Sequence, residues 1–182
     1  MGRTLGKTVV MVGMMGAGKT AVGKALAHRL GVPFRDCDAE IEAAANRTVA
    51  EIFARDGEPF FREKESRVLE RLLQDAPGVL STGGGVFLSA RNRALIAAQG
   101  VSVWLRADRA LLWQRVRNKD TRPLLRTADP RATLDDLCAL REPEYAKADV
   151  VVDSAADRSI EEMAARVEAA LLDRPDLWED PE

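Results

Sequence analysis

The sequence predicts an α/β protein built on a five-stranded parallel sheet with helices on both of its faces. Three observations support this fold class. Short apolar runs rich in β-branched residues alternate with helical patterns, as they do where helices join parallel strands. A glycine-rich motif separates the first apolar run from the first helical pattern. The length of 182 residues, with 46% hydrophobic and 31% charged residues, suits one compact domain.

Five apolar runs are the predicted strands of this sheet. Each run contains valine, whose branched side chain suits a strand. Runs with little polar alternation indicate strands whose two faces are both buried. The predicted strands span residues 8–12, 32–35, 78–81, 101–105 and 149–152.

Helical patterns follow the first strand and the last strand. Val22 and Leu26 recur at helical spacing, and Gly31 is suited to close that helix in the left-handed conformation. Together with its flanking strands, this helix forms a βαβ unit. The last helix is predicted to begin at Ser159, because Glu162 three residues later completes a capping box.

Residues 38–75 form a longer and more charged segment than a simple connection between two strands requires. Their pattern predicts two or three consecutive helices, interrupted near Asn46 and Gly57. We interpret these helices as a subdomain that binds an acceptor substrate.

Two further segments depart from the regular alternation. Residues 115–130 are polar and rich in arginine, and Pro123 and Pro130 prevent one continuous helix. This segment is predicted to be a mobile lid, with an ordinary solvated loop as the alternative. Residues 175–182, with two prolines and four acidic residues, are predicted to be a flexible tail after a single domain over residues 1–174.

The composition excludes several function classes. A net charge of −2 supplies no cationic field for a nucleic acid. His28 is the only histidine, which excludes metal sites that need two imidazoles. Cys37 and Cys138 lack the spacing of a zinc site or a disulfide framework, so both are predicted to be buried, reduced thiols. No run approaches the length of a membrane span, and we expect a cytoplasmic protein that binds no membrane.

The motif Gly-Met-Met-Gly-Ala-Gly-Lys-Thr at residues 13–20 carries the strongest functional signal. It matches G-x-x-x-x-G-K-[ST], the P-loop pattern, directly after a strand and before a helix. Glycines let successive backbone N–H groups point at phosphate oxygens, and the helix adds the positive end of its dipole. Lys19 would reach the β- and γ-phosphates, and the Thr20 hydroxyl would bind Mg²⁺. A glycine-rich turn without ligand is the alternative.

A P-loop leaves the phosphoryl acceptor open, because water would indicate an NTPase or switch and a small alcohol would indicate a kinase. Asp36 and Asp38 follow the second strand, where ligands of open α/β sheets collect. On an extended chain their side chains point the same way, so one could orient hydrated Mg²⁺ while the other accepts a hydroxyl proton. Capping of the next helix by Asp38 is the structural alternative.

Glycines and arginines supply the remaining candidates. Gly83, Gly84 and Gly85 follow the third strand and suit a place where backbone approaches a ligand, although a tight turn explains them equally well. The chain holds 21 arginines, most of which are expected to be solvated. Five of them are singled out as functional candidates: Arg62, Arg115, Arg122, Arg141 and Arg158.

Taken together, these motifs resemble shikimate kinase over almost the whole domain. The P-loop is followed in the same order by Asp-x-Asp at 36–38 and Phe-Arg at 61–62. Thr-Gly-Gly-Gly at 82–85, Arg-Pro-Leu-Leu at 122–125 and Arg-x-Pro-x-Tyr at 141–145 complete the pattern. The resemblance implies a three-layer P-loop kinase fold with an acceptor-binding subdomain and a lid.

The resemblance also implies a role for each candidate residue. Asp38 would bind the acceptor hydroxyls and act as the base, and Asp36 would organise Mg²⁺ through water. Lys19 and Arg122 would meet the ATP phosphates, and Arg115 and Arg158 would lie near adenine. The nucleotide would also contact Gly16, Ala17, Gly18, Thr20 and Ala21. The shikimate ring and carboxylate would contact Gly83, Gly84, Gly85, Arg62 and Arg141.

The implied activity is the transfer of a phosphoryl group from ATP to the 3-hydroxyl of shikimate, with Mg²⁺ as cofactor. The product, shikimate 3-phosphate, belongs to chorismate and aromatic amino acid biosynthesis. The enzyme is expected to be a monomer. Two alternatives remain: another small P-loop kinase, of the gluconate or nucleoside monophosphate type, and a nucleotide-dependent binding switch without an acceptor.

Overall fold

The computed structural model describes residues 3–118 and 125–180. Five of its strands form one parallel sheet, and a second sheet of two strands joins the ends of the chain. The strands are β1 (Thr4–Leu5), β2 (Thr8–Val12), β3 (Phe34–Asp36), β4 (Val79–Ser81), β5 (Gly100–Arg106), β6 (Val150–Asp153) and β7 (Trp178–Glu179).

The five-stranded sheet has the order β3-β4-β2-β5-β6, and every pair of neighbours is parallel. This confirms the predicted fold class. Strand β2 has the predicted bounds, and the other four strands are displaced by one or two residues. Because β2 is central, its carboxyl end opens between β4 and β5, where the direction of the winding changes and ligands collect.

Eight α-helices connect the strands within the described residues. Helices α1 and α8 pack against each other, and α5 packs on β5. All five residues of β2 are buried, which shows that helices cover both faces of the sheet. The helices are α1 (Lys19–Leu30), α2 (Cys37–Ala45), α3 (Val49–Asp56), α4 (Glu58–Leu73), α5 (Ala90–Gln99), α6 (Arg109–Val116), α7 (Pro130–Tyr145) and α8 (Ile160–Leu172).

Local sequence signals set most of the helix ends. Gly31 closes α1 with φ of 66°, and Ser159 and Glu162 form the predicted capping box of α8. The charged segment forms three helices, α2 to α4, interrupted at Asn46 and Gly57 as predicted. These residues satisfy the helix termini whatever the surrounding packing, which is why the sequence alone located the breaks.

The start of α2 differs from the prediction. Asp36, not Asp38, caps this helix, and its carboxylate accepts a hydrogen bond of 3.1 Å from the Ala39 N–H. The chain is therefore already helical at Cys37 and Asp38, and the two carboxylates do not project from one extended strand. A side chain that can cap so close to the strand end starts the helix earlier than expected.

The prediction of a flexible tail from residue 175 is wrong for residues 175–179. Strand β7 pairs antiparallel with β1, and Leu177 is fully buried. The Trp178 indole N–H donates to the Leu171 carbonyl at 3.0 Å. Two large apolar side chains between the prolines hold this segment to the domain, an effect that outweighs the neighbouring charges.

The predicted lid falls partly outside the described residues. Arg115 lies in α6, and Pro130 begins α7 behind an Asp129 cap. Residues 119–124, which include Arg122 and Pro123, lie outside the part of the chain that the structure describes. In residues 3–118 and 125–180, no helix combines the length and apolar character that crossing a membrane demands.

Candidate active site

The P-loop connects the end of β2 to the start of α1. Gly16 and Gly18 have φ of 80° and 96°, in the left-handed region that favours glycine. A Cβ atom at Gly16 would also lie 2.8 Å from Cγ1 of Val116 on α6. Both glycines are therefore required by backbone geometry, and the loop is held in a fixed curve.

Lys19 is the first residue of α1 and is buried. Its ammonium donates to the carbonyls of Gly13 and Met14, at 2.8 Å each, which folds the side chain back over the loop. The first turn of α1 contains no acidic residue. The positive end of the helix dipole and the Lys19 charge therefore act in the same place, which suits a bound anion.

Three oxygen-bearing side chains converge beside the P-loop. The Thr20 hydroxyl donates to Oδ2 of Asp36 at 3.0 Å and lies 3.3 Å from Oγ of Ser81. This arrangement joins the start of α1 to the carboxyl ends of β3 and β4. Ser81 ends β4 and lies beside the two oxygens expected to hold Mg²⁺.

These oxygens fit Mg²⁺ held together with a nucleotide. The described residues contain no cluster of three or more His, Cys, Asp or Glu side chains able to hold a metal alone. Mg²⁺ is usually bound through one or two carboxylates, several waters and the phosphates of a substrate. One hydroxyl and one carboxylate next to a phosphate-binding loop are a donor set of this kind.

A cavity of about 470 Å³ surrounds the P-loop. Arg115 on α6 lies at its wall, where its guanidinium donates to the Gly16 carbonyl at 2.9 Å. Arg158, just before α8, lies at another wall together with Ser154 and Ile160. The predicted residues that line this cavity are Gly16, Ala17, Gly18, Lys19, Thr20, Ala21, Asp36, Asp38, Gly83, Gly84, Arg115 and Arg158.

A second cavity of about 410 Å³ lies against the first, between the P-loop and helices α2 to α4. Met15, Asp38, Gly83 and Gly84 line both cavities. A group bound in one cavity can therefore meet a group bound in the other beside Asp38. We call the first the nucleotide cavity and the second the acceptor cavity.

Three arginines line the acceptor cavity, and Arg62 and Arg141 are less exposed than the third, Arg126. Arg62 on α4 donates to Glu65 at 3.0 Å and to Glu58 at 3.2 Å, and its guanidinium lies 5.2 Å from the ring centre of Phe61. Arg141 on α7 is only 3% exposed, and its Nε has no hydrogen-bond partner in the described residues. A buried, unsatisfied guanidinium N–H is costly unless a ligand accepts from it.

The glycine triplet is explained by space and not by a turn that needs positive φ. None of Gly83, Gly84 and Gly85 has a positive φ. A Cβ atom at Gly84 would lie 2.8 Å from Nη1 of Arg141, and one at Gly85 would overlap the Arg62 guanidinium. The glycines therefore leave room for Arg62 and Arg141, which line the cavity, and the approach of this backbone to a ligand stays a prediction.

Comparison with known proteins agrees with the resemblance to shikimate kinase. The family model for shikimate kinase matches residues 15–172. The chain is 66% identical to the shikimate kinase of Ruegeria pomeroyi over 175 residues, which cover 96% of this chain and 90% of the relative. It is 65% identical to that of Cereibacter sphaeroides over 178 residues, covering 98% and 89%. This chain belongs to the shikimate kinase family.

A solved structure supports the same assignment at the level of the fold. The shikimate kinase from Acinetobacter baumannii in complex with shikimate superimposes with a TM-score of 0.88 and 36% identity, over 93% of this chain and 94% of that one. The resemblance read from the sequence motifs is confirmed. So is the three-layer fold of P-loop kinases, with its five-stranded parallel sheet.

Two side chains of this shikimate kinase family member contribute to the site but received no role from the sequence. Glu65 is 1% exposed, and burial raises its pKa to about 7 despite the opposing charge of Arg62. The fully buried Tyr145 donates its hydroxyl proton to the Gly84 carbonyl, and burial raises its pKa to about 12. Glu65 could have been found from the sequence, because Arg62 and Glu65 are three residues apart on one helix, a spacing that indicates an ion pair.

Proposed function

We propose that this chain transfers the γ-phosphoryl group of ATP to the 3-hydroxyl of shikimate, giving ADP and shikimate 3-phosphate for aromatic amino acid biosynthesis. One observation carries the proposal: the acceptor cavity holds the buried Arg141, whose Nε has no partner in the described residues, and opens at Asp38 onto the P-loop. A small alcohol that bears a carboxylate matches both features. The relatives named shikimate kinase, and the one solved with shikimate, support this choice.

On the nucleotide side, we assign the phosphates to the P-loop. Backbone N–H groups from Gly16 to Ala21 and the ammonium of Lys19 would hold the β- and γ-phosphates. To reach them, Lys19 gives up its contacts with the loop carbonyls. Arg115 and Arg158 would border the adenine.

Mg²⁺ is assigned to Thr20 directly and to Asp36 through water, because these two oxygens lie together beside the loop. When bound, the ion neutralises charge on the β- and γ-phosphate oxygens. Arg122 is proposed to add positive charge from a lid over residues 115–130. Lid closure would exclude water and limit wasteful hydrolysis of ATP.

On the acceptor side, Arg62 and Arg141 would bind the shikimate carboxylate through their planar guanidinium groups. The backbone from Gly83 to Gly85 would contact the ring, because no side chain separates it from the cavity. These contacts would direct the 3-hydroxyl toward Asp38, which lines both cavities.

Asp38 would then accept the proton of the 3-hydroxyl as that oxygen attacks the γ-phosphorus in line with the departing ADP. Phosphoryl transfer needs positioning and charge neutralisation more than covalent chemistry, so the absence of a histidine or cysteine nucleophile from these roles is no obstacle. No covalent enzyme intermediate forms in this mechanism.

A coupled assay of ADP release tests the proposal directly. The purified chain is supplied with ATP and Mg²⁺, alone and with shikimate, gluconate or a nucleoside monophosphate. Release that depends on shikimate is the expected result. Turnover with gluconate or a nucleoside monophosphate would indicate another small kinase, and acceptor-independent behaviour would indicate a switch.

We further propose that the enzyme works as a monomer in the cytoplasm. The exposed large apolar side chains of the described residues lie on four separate elements and not in one stripe. Cys37 and Cys138 are buried free thiols, as predicted, which suits a reducing compartment. Light scattering coupled to gel filtration measures the mass of the particle, and a dimer would contradict the first part.

A further inference from the structure

A groove of about 330 Å³ lies among α2, α3 and α4 and shares no lining residue with the nucleotide or acceptor cavity. We call it the outer groove. Its volume lies within the range of small-molecule sites. Its apolar lining consists of Ile41, Ala44, Ala45, Ile52, Phe60 and Val68.

The lining of the outer groove is hydrophobic and partly open to water. Ile41 and Ile52 are each 2% exposed and form its deepest part. Phe60, by contrast, is 44% exposed, although it belongs to the same lining. A half-exposed aromatic ring above a buried aliphatic floor is a surface on which an apolar ring gains by displacing water.

The rim of the outer groove is positively charged. Three cations, Arg47, Arg55 and Lys64, face one carboxylate, Asp56. Asp56 is 3.9 Å from Arg55, a long and solvent-exposed pair. Arg47 makes no salt bridge or side-chain hydrogen bond within the described residues, and the Lys64 ammonium lies 5.4 Å from the Phe60 ring centre.

Neighbouring arginines are paired with carboxylates, so the shortage of negative charge is confined to the outer groove. Arg67, on the same helix as Lys64, is paired with Glu63 at 3.1 Å. Arg71, one turn later, is paired with Glu40 at 3.3 Å. The uncompensated positive charge is therefore concentrated at the outer groove, where it would complement an anion bound against the apolar floor.

The outer groove and the acceptor cavity lie on opposite sides of the same helices. On α4, Phe60 and Lys64 line the groove, whereas Arg62 and Glu65 line the acceptor cavity. On α3, Ile52 faces the groove and the next residue lines the cavity. A test must therefore distinguish a ligand in the groove from a carboxylate that enters the acceptor cavity.

We propose that the outer groove is a second binding site, for a small carboxylate with an apolar ring. The ring lies on the floor formed by Ile41 and Ile52 and against Phe60. The carboxylate meets Arg47 and Lys64 at the rim. Both halves of such a molecule find a matching surface, whereas a neutral ring lacks the charge contact and a small inorganic anion lacks the apolar one.

Isothermal titration calorimetry with 2-naphthoate tests the proposal on the full chain, with and without saturating shikimate. We expect one saturable site with a dissociation constant below about 1 mM in both conditions. The double variant Arg47→Gln/Lys64→Gln should bind at least about tenfold more weakly, since it loses two charge-assisted contacts. Its turnover with shikimate should equal that of the wild type, because neither residue lines the active-site cavities.

The matched control is Arg67→Gln/Arg71→Gln, which removes the same amount of charge from α4, the helix of Lys64, and should keep wild-type affinity. Neutral 2-naphthamide should bind at least about tenfold more weakly than naphthoate. Ala45→Leu, which narrows the groove and leaves the rim charges, should also weaken naphthoate binding. No measurable binding, equal binding by all variants, or binding that disappears with shikimate would each overturn the proposal.

Discussion

Replacing Arg141 by leucine is the most direct test of the acceptor site. The change removes the guanidinium but keeps an apolar side chain in a position that is only 3% exposed. A hydrogen bond to a charged group contributes about 1.5–3 kcal/mol, which corresponds to roughly 10- to 150-fold in kcat/KM. Because Nε of Arg141 has no other partner in the described residues, we expect the loss for shikimate near the upper end, about 100-fold.

Arg62→Ala should cost less than Arg141→Leu. The Arg62 guanidinium already donates to Glu65 and Glu58, so fewer of its N–H groups remain for a substrate. We expect a loss near the lower end of the range, about tenfold in kcat/KM. The predicted order of the two variants follows from these contacts, since both residues are arginines lining the same cavity.

The assay measures kcat/KM for shikimate and for its neutral carboxamide, on the wild type and on Arg141→Leu. The four values form a double-mutant cycle that isolates the coupling between the guanidinium and the carboxylate. The KM for ATP and the thermal midpoint report damage elsewhere. The control is Arg131→Leu, on the same helix, where the exposed guanidinium lies 5.6 Å from the Trp113 ring centre. If Arg141→Leu lowers kcat/KM equally with both substrates, Arg141 has only a structural role, and the proposal that it binds the shikimate carboxylate is wrong.

Four further predictions concern other parts of the site. Lys19→Ala should abolish turnover with near-native circular dichroism, because it removes the charge that we propose to meet the phosphates; wild-type activity would contradict the P-loop assignment. Asp38→Asn should lower kcat by about 10²- to 10⁴-fold with little change in ATP binding, and an unchanged kcat would remove its role as base. Between pH 4.5 and 7 the folded Glu65 carboxyl keeps a proton that the unfolded chain has lost, so the free energy of unfolding falls as pH rises, by on the order of 3 kcal/mol. Urea unfolding at pH 5 and pH 8 should therefore show a smaller fall in this free energy for Glu65→Gln than for the wild type, and equal falls would contradict the raised pKa of Glu65. Hydrogen exchange over residues 115–130 should slow when nucleotide and shikimate are both bound, whereas unchanged exchange would indicate a static loop.

The parts of the fold that the sequence predicted correctly depend on local chemistry. Asn46 and Gly57 end helices through backbone conformation, and Ser159 starts one through its own side chain. Strand β7 was not predicted, because its stability comes from tertiary contacts: Trp178 pairs with Leu5 at the other end of the chain, and the Leu177 carbonyl accepts from the Gly6 N–H. A short apolar pair among charges and prolines carries no periodic signal, so only tertiary packing fixes its conformation.

The candidate site was predictable in its nucleotide half and less so in its acceptor half. The P-loop is contiguous in sequence, so its spacing specifies its geometry. Arg141 could not be separated from the other arginines by composition, and its distinguishing feature is burial without a full set of partners. Glu65 resembles any charged residue on a surface helix until the packing of α4 buries it. The sequence singled out both Asp36 and Asp38, but it is Asp36, and not Asp38, that caps α2.

The division between the two cavities also explains how one scaffold separates nucleotide from acceptor recognition. The nucleotide cavity is built largely from the P-loop and neighbouring elements, whereas the acceptor-cavity residues Phe53, Arg62 and Glu65 lie on α3 and α4. Tyr145 links the halves, because its hydroxyl contacts both the Gly84 carbonyl and, at 3.7 Å, the sulfur of Met14 in the P-loop. We therefore expect substitutions on the acceptor-facing sides of α3 and α4 to change which alcohol is accepted and to leave the contacts of Tyr145 with Gly84 and Met14 in place.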